Sequence, residues 1–328
     1  MPGRSLLLPL LLAAGLQIQG AVFASPTPAM DVRDWLQHMI HAVHTLDYEG
    51  TFVYLHDNHL ETMRVIHTAG DEGEMERLLS LNGHAREVVR DNASVTCVAP
   101  ESRSVSVGSR IDKGGFRAVF SMDVESLAAH YDFKLLQEAR IAERPAQVVA
   151  ILPKDGFRYG YRIYLDKSNF LPLKTDMLDV DGRAVSQVMF TELRVGDTLS
   201  GIGLASMDGR EDYRWQHRGR AQPIKSTSNP GWRFDGLPSG FVLSLHTRRK
   251  SGPAGGELDH FVFSDGLASL SVYIEQASAG AALRGASQMG AVNAFGREIE
   301  GNQVTVIGQV PALAVQQIAT TIQPSVRR

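Results

Sequence analysis

Cysteine is nearly absent from this chain of 328 residues, in which Cys97 is the single thiol. One cysteine cannot form an intramolecular disulfide, so the fold depends on buried apolar area and not on cross-links. Cys97 alternates with Val95 in the run SVTCVAP, which is typical of a strand, and no cationic residue lies near it in sequence. We therefore expect a buried, unreactive thiol.

Hydrophobic runs long enough to cross a bilayer are also missing. The first run follows Arg4, covers residues 6–16 and ends before Gln17, whereas a membrane-spanning helix needs about 20 apolar residues. The sequence AVFAS that follows suits a leader peptidase that cuts after Ala24. Residues 1–24 are therefore predicted to be a signal peptide, and the mature protein is predicted to be exported.

An excess of positive charge is lacking, and so are the local motifs of enzymes. The chain carries 33 Lys and Arg against 36 Asp and Glu, a net charge of −3, which excludes general attraction to nucleic acid or to an anionic membrane. It contains no G-x-S-x-G elbow, no H-E-x-x-H, no P-loop and no strand-anchored G-x-G-x-x-G. We expect no enzymatic activity and no cofactor, with an exported hydrolase as the remote alternative.

Metal ligands are present as residue types but not in a complete set. His38, His41 and His44 share the polar face of a predicted helix, but no carboxylate completes a site there. Asp179 and Asp181 lie in a hairpin signal that lacks the twelve-residue calcium loop and its closing Glu. We expect no metal site.

What the sequence has in abundance is period-two alternation broken by turn signals. A helix is predicted at residues 31–46 and a second at residues 121–133, and about ten short strands surround them. So many antiparallel strands must curl, and helices or a ligand must fill the concave face. The sequence thus predicts an α+β protein whose larger part is a curled antiparallel sheet with covering helices.

One strand signal carries unusually large side chains on one face. In the segment FRYGYRIYLDKSNFLPLK the apolar parity consists of Phe157, Tyr159, Tyr161, Ile163 and Leu165. The side chains of the other parity, which include Arg158 and Asp166, are predicted to form a solvent-exposed face. The five apolar residues either line a partly open cavity for a ligand or belong to a helix-covered core, and the pattern alone does not separate the two.

The periodicity stops between about residues 200 and 230 and resumes in a shorter region. We predict a linker at residues 201–230 and a small antiparallel sheet with one helix at residues 231–328, after a larger domain at residues 25–200. Arg248, Arg249 and Lys250 end a strand of the small domain. They are either a solvated strand end or a site for carboxylates or phosphates.

Five segments together resemble the periplasmic sigma-E regulatory family, RseB/MucB, and the resemblance covers essentially the whole mature chain. The segments are YEGTFVY, ERLLSLNGHAREVVR, YRIYLDKSNFLPLK, SDGLASLSVYIE and GAVNAFGREIEGNQVTVIGQVP. The resemblance implies a half-open barrel like that of the lipoprotein carriers LolA and LolB, followed by a smaller C-terminal domain. It also implies a periplasmic protein without enzymatic activity.

The resemblance further implies a partner and a ligand. The partner is the periplasmic region of a membrane anti-sigma factor like RseA or MucA, which the family shields from regulated proteolysis. Envelope lipid, particularly lipopolysaccharide, releases that shield when it binds. On this basis the ring-lined strand at residues 157–165 is expected on the inward face of the half-barrel. A periplasmic lipid or lipoprotein carrier is the alternative function. The sequence does not decide whether the protein forms a homo-oligomer.

Overall fold

The structure is a computed structural model. It describes residues 30–71, 73–109, 116–196, 212–217, 231–251, 256–277 and 282–325. The predicted signal peptide and most of the predicted linker lie outside the described residues. Within the described part of the chain, no helix has both the length and the apolar character needed to cross a membrane.

The first helix, α1 (Val32–Thr45), confirms the period read from the sequence. Asp31 caps its N-terminus through a 2.6 Å hydrogen bond from the Val32 amide, and the apolar face is buried. His38 and His41 are exposed, but His44 is half-buried and hydrogen-bonded. The predicted polar face is therefore only partly solvated.

Two short helical segments follow the first six strands. They are a 3₁₀-helix (Phe116–Ser121) and α2 (Val124–Leu127), whose cap Asp123 accepts hydrogen bonds from the Glu125 and Ser126 amides. The second helix is shorter than predicted because the chain turns into a strand at Tyr131. A later helix, α3 (Ala312–Thr321), begins after Pro311, as the sequence predicts.

The large sheet contains 13 of the described strands. Its strands are β1 (Tyr48–His56), β2 (His59–Gly70), β3 (Gly73–Ser80), β4 (Glu87–Arg90), β5 (Ser94–Ala99), β6 (Ser104–Ser109), β7 (Tyr131–Leu135), β8 (Ala139–Ile141), β9 (Arg144–Pro153), β10 (Gly160–Asp166), β11 (Pro172–Leu178), β12 (Ala184–Val195) and β13 (Arg214–His217). Cys97 lies half-buried in β5, not fully buried as expected.

The pairing order makes the large sheet an open path. It runs β13-β6-β5-β4-β3-β2-β1-β12-β11-β10-β9-β7, with β8 beside β9. All the pairs are antiparallel except β13 with β6. The end strands β13 and β7 are not paired with each other among the described residues, so the sheet is a half-open barrel. Helix α1, the 3₁₀-helix and α2 pack on one face of this sheet and bury the core there.

The small sheet has six described strands in the order β15-β16-β17-β20-β19-β18. These strands are β15 (Val242–Ser251), β16 (Gly256–Ser264), β17 (Ser269–Gln276), β18 (Gly285–Met289), β19 (Val292–Ile299) and β20 (Asn302–Gly308). Helix α3 packs across this sheet and buries Val315 and Ile318 against it. Strand β14 (Trp232–Phe234) pairs with β21 (Ile322–Pro324) beside the same core.

The cores of the two sheets interlock. Leu267 and Ala291, from turns of the small sheet, are buried in the core of the large sheet, and Phe157 packs against the core of the small sheet. Asn293 donates from Nδ2 to the Tyr159 hydroxyl at 3.0 Å across the junction. The packing between the 13-stranded sheet and the six-stranded sheet is therefore continuous.

The prediction that Arg158 and Asp166 lie on a solvent-exposed face is wrong. Arg158 is fully buried where the two sheets meet, and it donates hydrogen bonds to Asp155, the Ser239 carbonyl oxygen and Asp265. Asp166 is also buried, and it accepts from Arg144 at 2.8 Å. The alternation rule failed at these two residues because charged and polar partners from elsewhere in the fold replace the hydration that the two side chains would have in water.

Candidate functional site

An apolar cavity of about 250 Å³ lies between the large sheet and the helical segments that cover it. Val43 of α1 and Phe120 of the 3₁₀-helix form its cover. The remaining lining comes from the sheet and the turn before β11, and it consists of Tyr48, Phe52, Tyr54, Met63, Val65, Glu76, Leu78, Arg90, Leu171, Pro172, Val188, Phe190 and Leu193. Most of these side chains are apolar or aromatic, as in sites for hydrophobic ligands.

Strand alternation explains why these side chains converge. Tyr48, Phe52 and Tyr54 share one parity of β1, and Met63 and Val65 share one parity of β2. Antiparallel pairing places β1 between β2 and β12, so the three strands present their apolar faces to the same space. The cavity is thus built on strands that are far apart in sequence.

Gly50 lets a large ring enter this wall. A Cβ atom at Gly50 would lie 2.6 Å from the Glu192 carbonyl oxygen and 2.8 Å from the Phe190 ring. The Phe190 ring instead packs edge-on against Phe52, with 5.7 Å between ring centroids. The missing side chain therefore makes room for one of the rings that line the cavity.

An ion pair marks one wall of the cavity. Arg90 of β4 donates from Nη1 to Glu76 Oε1 of β3 at 2.6 Å, and the Glu76 side chain is only 7% exposed. A charge-assisted hydrogen bond of this kind offsets the cost of placing a carboxylate beside an apolar space. The cavity is therefore amphipathic, with apolar walls and one charged edge.

A second polar group ties the cover of the cavity to the sheet. Glu74 Oε1 lies 3.2 Å from His44 Nδ1 and 3.0 Å from His67 Nε2. The other ring nitrogens contact carbonyl oxygens: His44 Nε2 lies 3.1 Å from Phe120 O, and His67 Nδ1 lies 2.8 Å from Leu46 O. Burial alone raises the pKa of the Glu74 carboxyl, but the hydrogen bonds from both histidines outweigh it and hold that pKa well below its usual range.

The ring-lined strand selected from the sequence lies beside this cavity and not in its wall. Tyr159, Tyr161, Ile163 and Leu165 are buried in the core with α1 and α2, and Phe157 packs against the small sheet. Burial raises the pKa of the Tyr161 hydroxyl. None of the five residues is among those that line the described cavity. Ligand contact by these five residues stays a prediction.

The basic strand end has one paired and one exposed arginine. Arg248 forms a bidentate ion pair with Asp259, with 2.8 Å between Nε and Oδ1 and 2.9 Å between Nη2 and Oδ2. Hydrogen bonding to Asp259 raises the pKa of Arg248. Arg249 is exposed on the edge strand β15, and the Lys250 backbone continues that strand opposite Glu257. Their contact with a partner or a phosphate stays a prediction.

The cavity residues were missed although the sequence contained their signal. YEGTFVY places Tyr48, Phe52 and Tyr54 on one parity, which is the same signal that singled out residues 157–165. Among the described residues, no group of three or more His, Cys, Asp or Glu side chains is placed to hold a metal ion.

Comparison with known proteins identifies relatives along the whole described chain. Residues 31–208 match the family model for the MucB/RseB N-terminal domain, and residues 226–323 match the model for the MucB/RseB C-terminal domain. The sigma factor AlgU regulatory protein MucB of Pseudomonas aeruginosa is 30% identical over 326 residues, covering 94% of this chain and 96% of the relative. The sigma-E factor regulatory protein RseB of Escherichia coli K12 is 25% identical and covers 92% of each chain.

Solved structures show the same architecture. The complex structure of Pseudomonas aeruginosa MucA/MucB contains a chain with a TM-score of 0.72 and 28% identity, and the match covers 91% of this chain and all of that chain. A crystal structure of MucB superposes with a TM-score of 0.63 and 28% identity, and the match covers 91% of this chain and 99% of that chain. The half-open sheet and the small sheet are therefore features that this chain shares with MucB.

Proposed function

The chain belongs to the MucB/RseB family, and on that premise we propose that it is a periplasmic negative regulator of a sigma-E-type response. It binds the periplasmic region of a membrane anti-sigma factor like MucA or RseA and protects that region from regulated proteolysis. It acts by binding and not by catalysis. The observation that carries this proposal is the match of both parts of the chain to the family, together with a similar MucB solved in complex with MucA.

The ligand that releases the partner is envelope lipid, particularly lipopolysaccharide. The support is the cavity under α1, since apolar walls with one charged edge suit an acyl chain that carries a polar end. Each methylene moved from water into such a cavity contributes about 0.8 kcal/mol. The five residues at 157–165 would then act by supporting this cavity from the adjacent core, or by contacting a longer lipid.

The chain divides into a cavity-bearing domain at residues 25–200 and a smaller domain at residues 231–328, joined by residues 201–230, of which Arg214–His217 also adds strand β13 to the edge of the large sheet. The boundary between the two family models, at residues 208–226, supports this division. The exposed Arg249 is the member of the basic strand end best placed to receive a carboxylate or phosphate, because Arg248 already holds Asp259. The signal peptide that would carry the chain to the periplasm ends at Ala24.

A plain lipid carrier is the second candidate, and the same cavity supports it. The interlocked cores favour the regulator, because a carrier needs the cavity but not a second sheet that is fixed to it. Calorimetric titration of the mature chain with the periplasmic region of a MucA-like anti-sigma factor separates the two functions. Saturable binding that lipopolysaccharide reverses supports the regulator, and lipid binding without partner binding supports the carrier.

A further inference from the structure

The cluster of His44, Glu74 and His67 connects the cover of the cavity with its floor. His44 follows the cavity residue Val43 in α1, and His67 lies in the floor strand β2. The His44 ring contacts the backbone of Phe120, the other cover residue, while the His67 ring contacts the backbone of Leu46, the cap residue of α1. Both rings meet on Glu74 Oε1. The cluster therefore fixes both pieces of the cover to β2 and β3.

The four hydrogen-bond contacts that the two rings make with Glu74, Phe120 and Leu46 all end on acceptors. The carbonyl oxygens of Phe120 and Leu46 can only accept a hydrogen bond, and an ionised Glu74 carboxylate can only accept as well. A neutral imidazole carries one N–H, so each ring makes both of its contacts only as an imidazolium. Turning a ring over exchanges its two nitrogens but does not change the number of protons needed. The complete cluster thus requires protonation of His44 and His67.

Among the described residues, Glu74 is the carboxylate that both rings contact. The other charged and aromatic groups nearby have different partners or stack on a ring. From β3, Glu76 pairs with Arg90 of β4. Asp47, beside the end of α1, accepts from the Ala69 amide at 2.8 Å. Tyr48 of β1 stacks on the His67 ring, with 4.7 Å between centroids. The fully buried His67 ring is therefore held between an aromatic face and two fixed acceptors.

We propose that His44, His67 and Glu74 form an acid-sensitive latch on the cavity. When both rings are protonated, the cover is fastened to the sheet and a bound ligand exchanges slowly. When the rings lose their second protons, each ring gives up one of its two contacts and the cover opens more often. Histidine is the side chain whose charge changes most readily between pH 5 and pH 8, so the latch is tested by comparing pH 6 with pH 8. The identity of the ligand rests on the proposed function, whereas the latch itself does not.

The first test measures how often the cover of the cavity opens when no ligand is present. Backbone amide exchange is measured on the mature chain at pH 6 and pH 8 and corrected for the intrinsic base-catalysed rate. Amides of the 3₁₀-helix, Phe116–Ser121, are expected to exchange about tenfold faster at pH 8, since loss of a hydrogen bond to a charged group has an effect of this order. His44→Gln is expected to abolish the difference, because a carboxamide does not titrate in this range and His44 is the ring that contacts Phe120.

His41→Gln is the matched control. His41 lies on the same helix, one turn before His44, and its side chain is exposed. This variant is expected to keep the wild-type difference between pH 6 and pH 8. Equal corrected exchange at the two pH values in the wild-type chain would overturn the latch. The same effect from His41→Gln and His44→Gln would also overturn it.

The second test follows ligand exchange with a pyrene-labelled fatty alcohol, which has no titratable group of its own. The probe is expected to dissociate about tenfold more slowly at pH 6 than at pH 8 from the wild-type chain. Its dissociation from His44→Gln is expected to be independent of pH. A probe that binds but dissociates from the wild-type chain at one rate at both pH values refutes the latch. A probe that does not bind at either pH contradicts the proposed lipid site, and the amide exchange then decides the latch by itself.

Discussion

Arg158 and Asp265 form a buried ion pair that joins the two sheets, with Arg158 Nε 2.5 Å from Asp265 Oδ2 and both side chains inaccessible to solvent. Asp265 lies in the turn between β16 and β17, and Arg158 precedes β10. The Tyr131 hydroxyl donates to the same carboxylate oxygen at 3.0 Å. Burial raises the pKa of Tyr131, so this hydroxyl stays a neutral donor. The junction between the sheets is therefore a specific polar contact inside an apolar interface.

Arg158→Met is expected to destabilise the chain by about 3–5 kcal/mol, because it leaves the Asp265 charge buried without its cation. The measurement is the free energy of unfolding from urea titration. Arg233→Met is the control, since the pair that Arg233 forms with Asp235 is exposed and contributes at most about 1 kcal/mol. Similar losses from the two variants would show that the junction does not depend on this pair.

Gly50→Ala is expected to cost about 1–3 kcal/mol of stability and to weaken binding of a hydrophobic probe, because the new methyl group displaces Phe190 from its place in the cavity wall. Urea titration and probe fluorescence measure the two effects. Gly108→Ala in β6 provides the comparison, since a Cβ atom there meets nothing within 4 Å. If both alanine variants bind the probe as the wild-type chain does, Gly50 has no role in shaping the cavity.

Tyr161→Glu is expected to unfold the large sheet, because Tyr161 is buried in the core and a carboxylate there would lose its hydration. A thermal melt followed by circular dichroism measures the effect. Val180→Glu, in the exposed turn before β12, is expected to melt within a few degrees of wild type. A cooperative Tyr161→Glu melt near the wild-type temperature would place this ring beside open space.

The sequence was sufficient to predict the elements that depend on local pattern. The amphipathic period of α1 and the apolar face of α3, which begins after Pro311, follow from neighbouring residues, and the structure confirms both. The alternating rings around Tyr161 and around Tyr54 gave the same signal, yet the first group lies in the core and only the second lines the cavity.

That difference depends on contacts between distant parts of the chain. Strand β1 pairs with β12, whose residues follow about 140 positions later, and α1 covers the sheet only after these strands have assembled. The same reason explains Arg158. Its partner Asp265 is 107 positions away, so nothing in the local pattern could distinguish a buried arginine from a solvated one.

Glu74 is expected to make stability fall in acid. Its pKa in the folded protein is lowered, so its contribution is fully present above the ordinary pKa of a glutamate, about 4.3, and is lost as the pH falls toward the folded value. Urea midpoints measured between pH 7 and pH 3 test this. Glu74→Gln is expected to be less stable than wild type at pH 7, and the gap between the two is expected to narrow toward pH 3. A gap that stays constant across this range would show that the carboxylate charge does not stabilise the fold.

Lipid in the cavity is proposed to release the anti-sigma partner, and Phe52→Glu tests this release most directly. Phe52 is half-buried in the cavity wall, so water reaches the new carboxylate and the fold survives, while acyl chains are excluded. The proposed function requires the two ligands to weaken each other's binding, so a variant that cannot bind lipid is expected to keep its partner.

The measurement is displacement of the periplasmic region of a MucA-like anti-sigma factor by increasing lipopolysaccharide, with Phe52→Leu as the apolar control and a thermal melt to establish folding. Folded Phe52→Glu is expected to bind the anti-sigma segment with wild-type affinity and to retain it at lipopolysaccharide concentrations that release the segment from both the wild-type chain and Phe52→Leu. Release of the segment from folded Phe52→Glu at the wild-type lipopolysaccharide concentration would contradict release by lipid in the cavity.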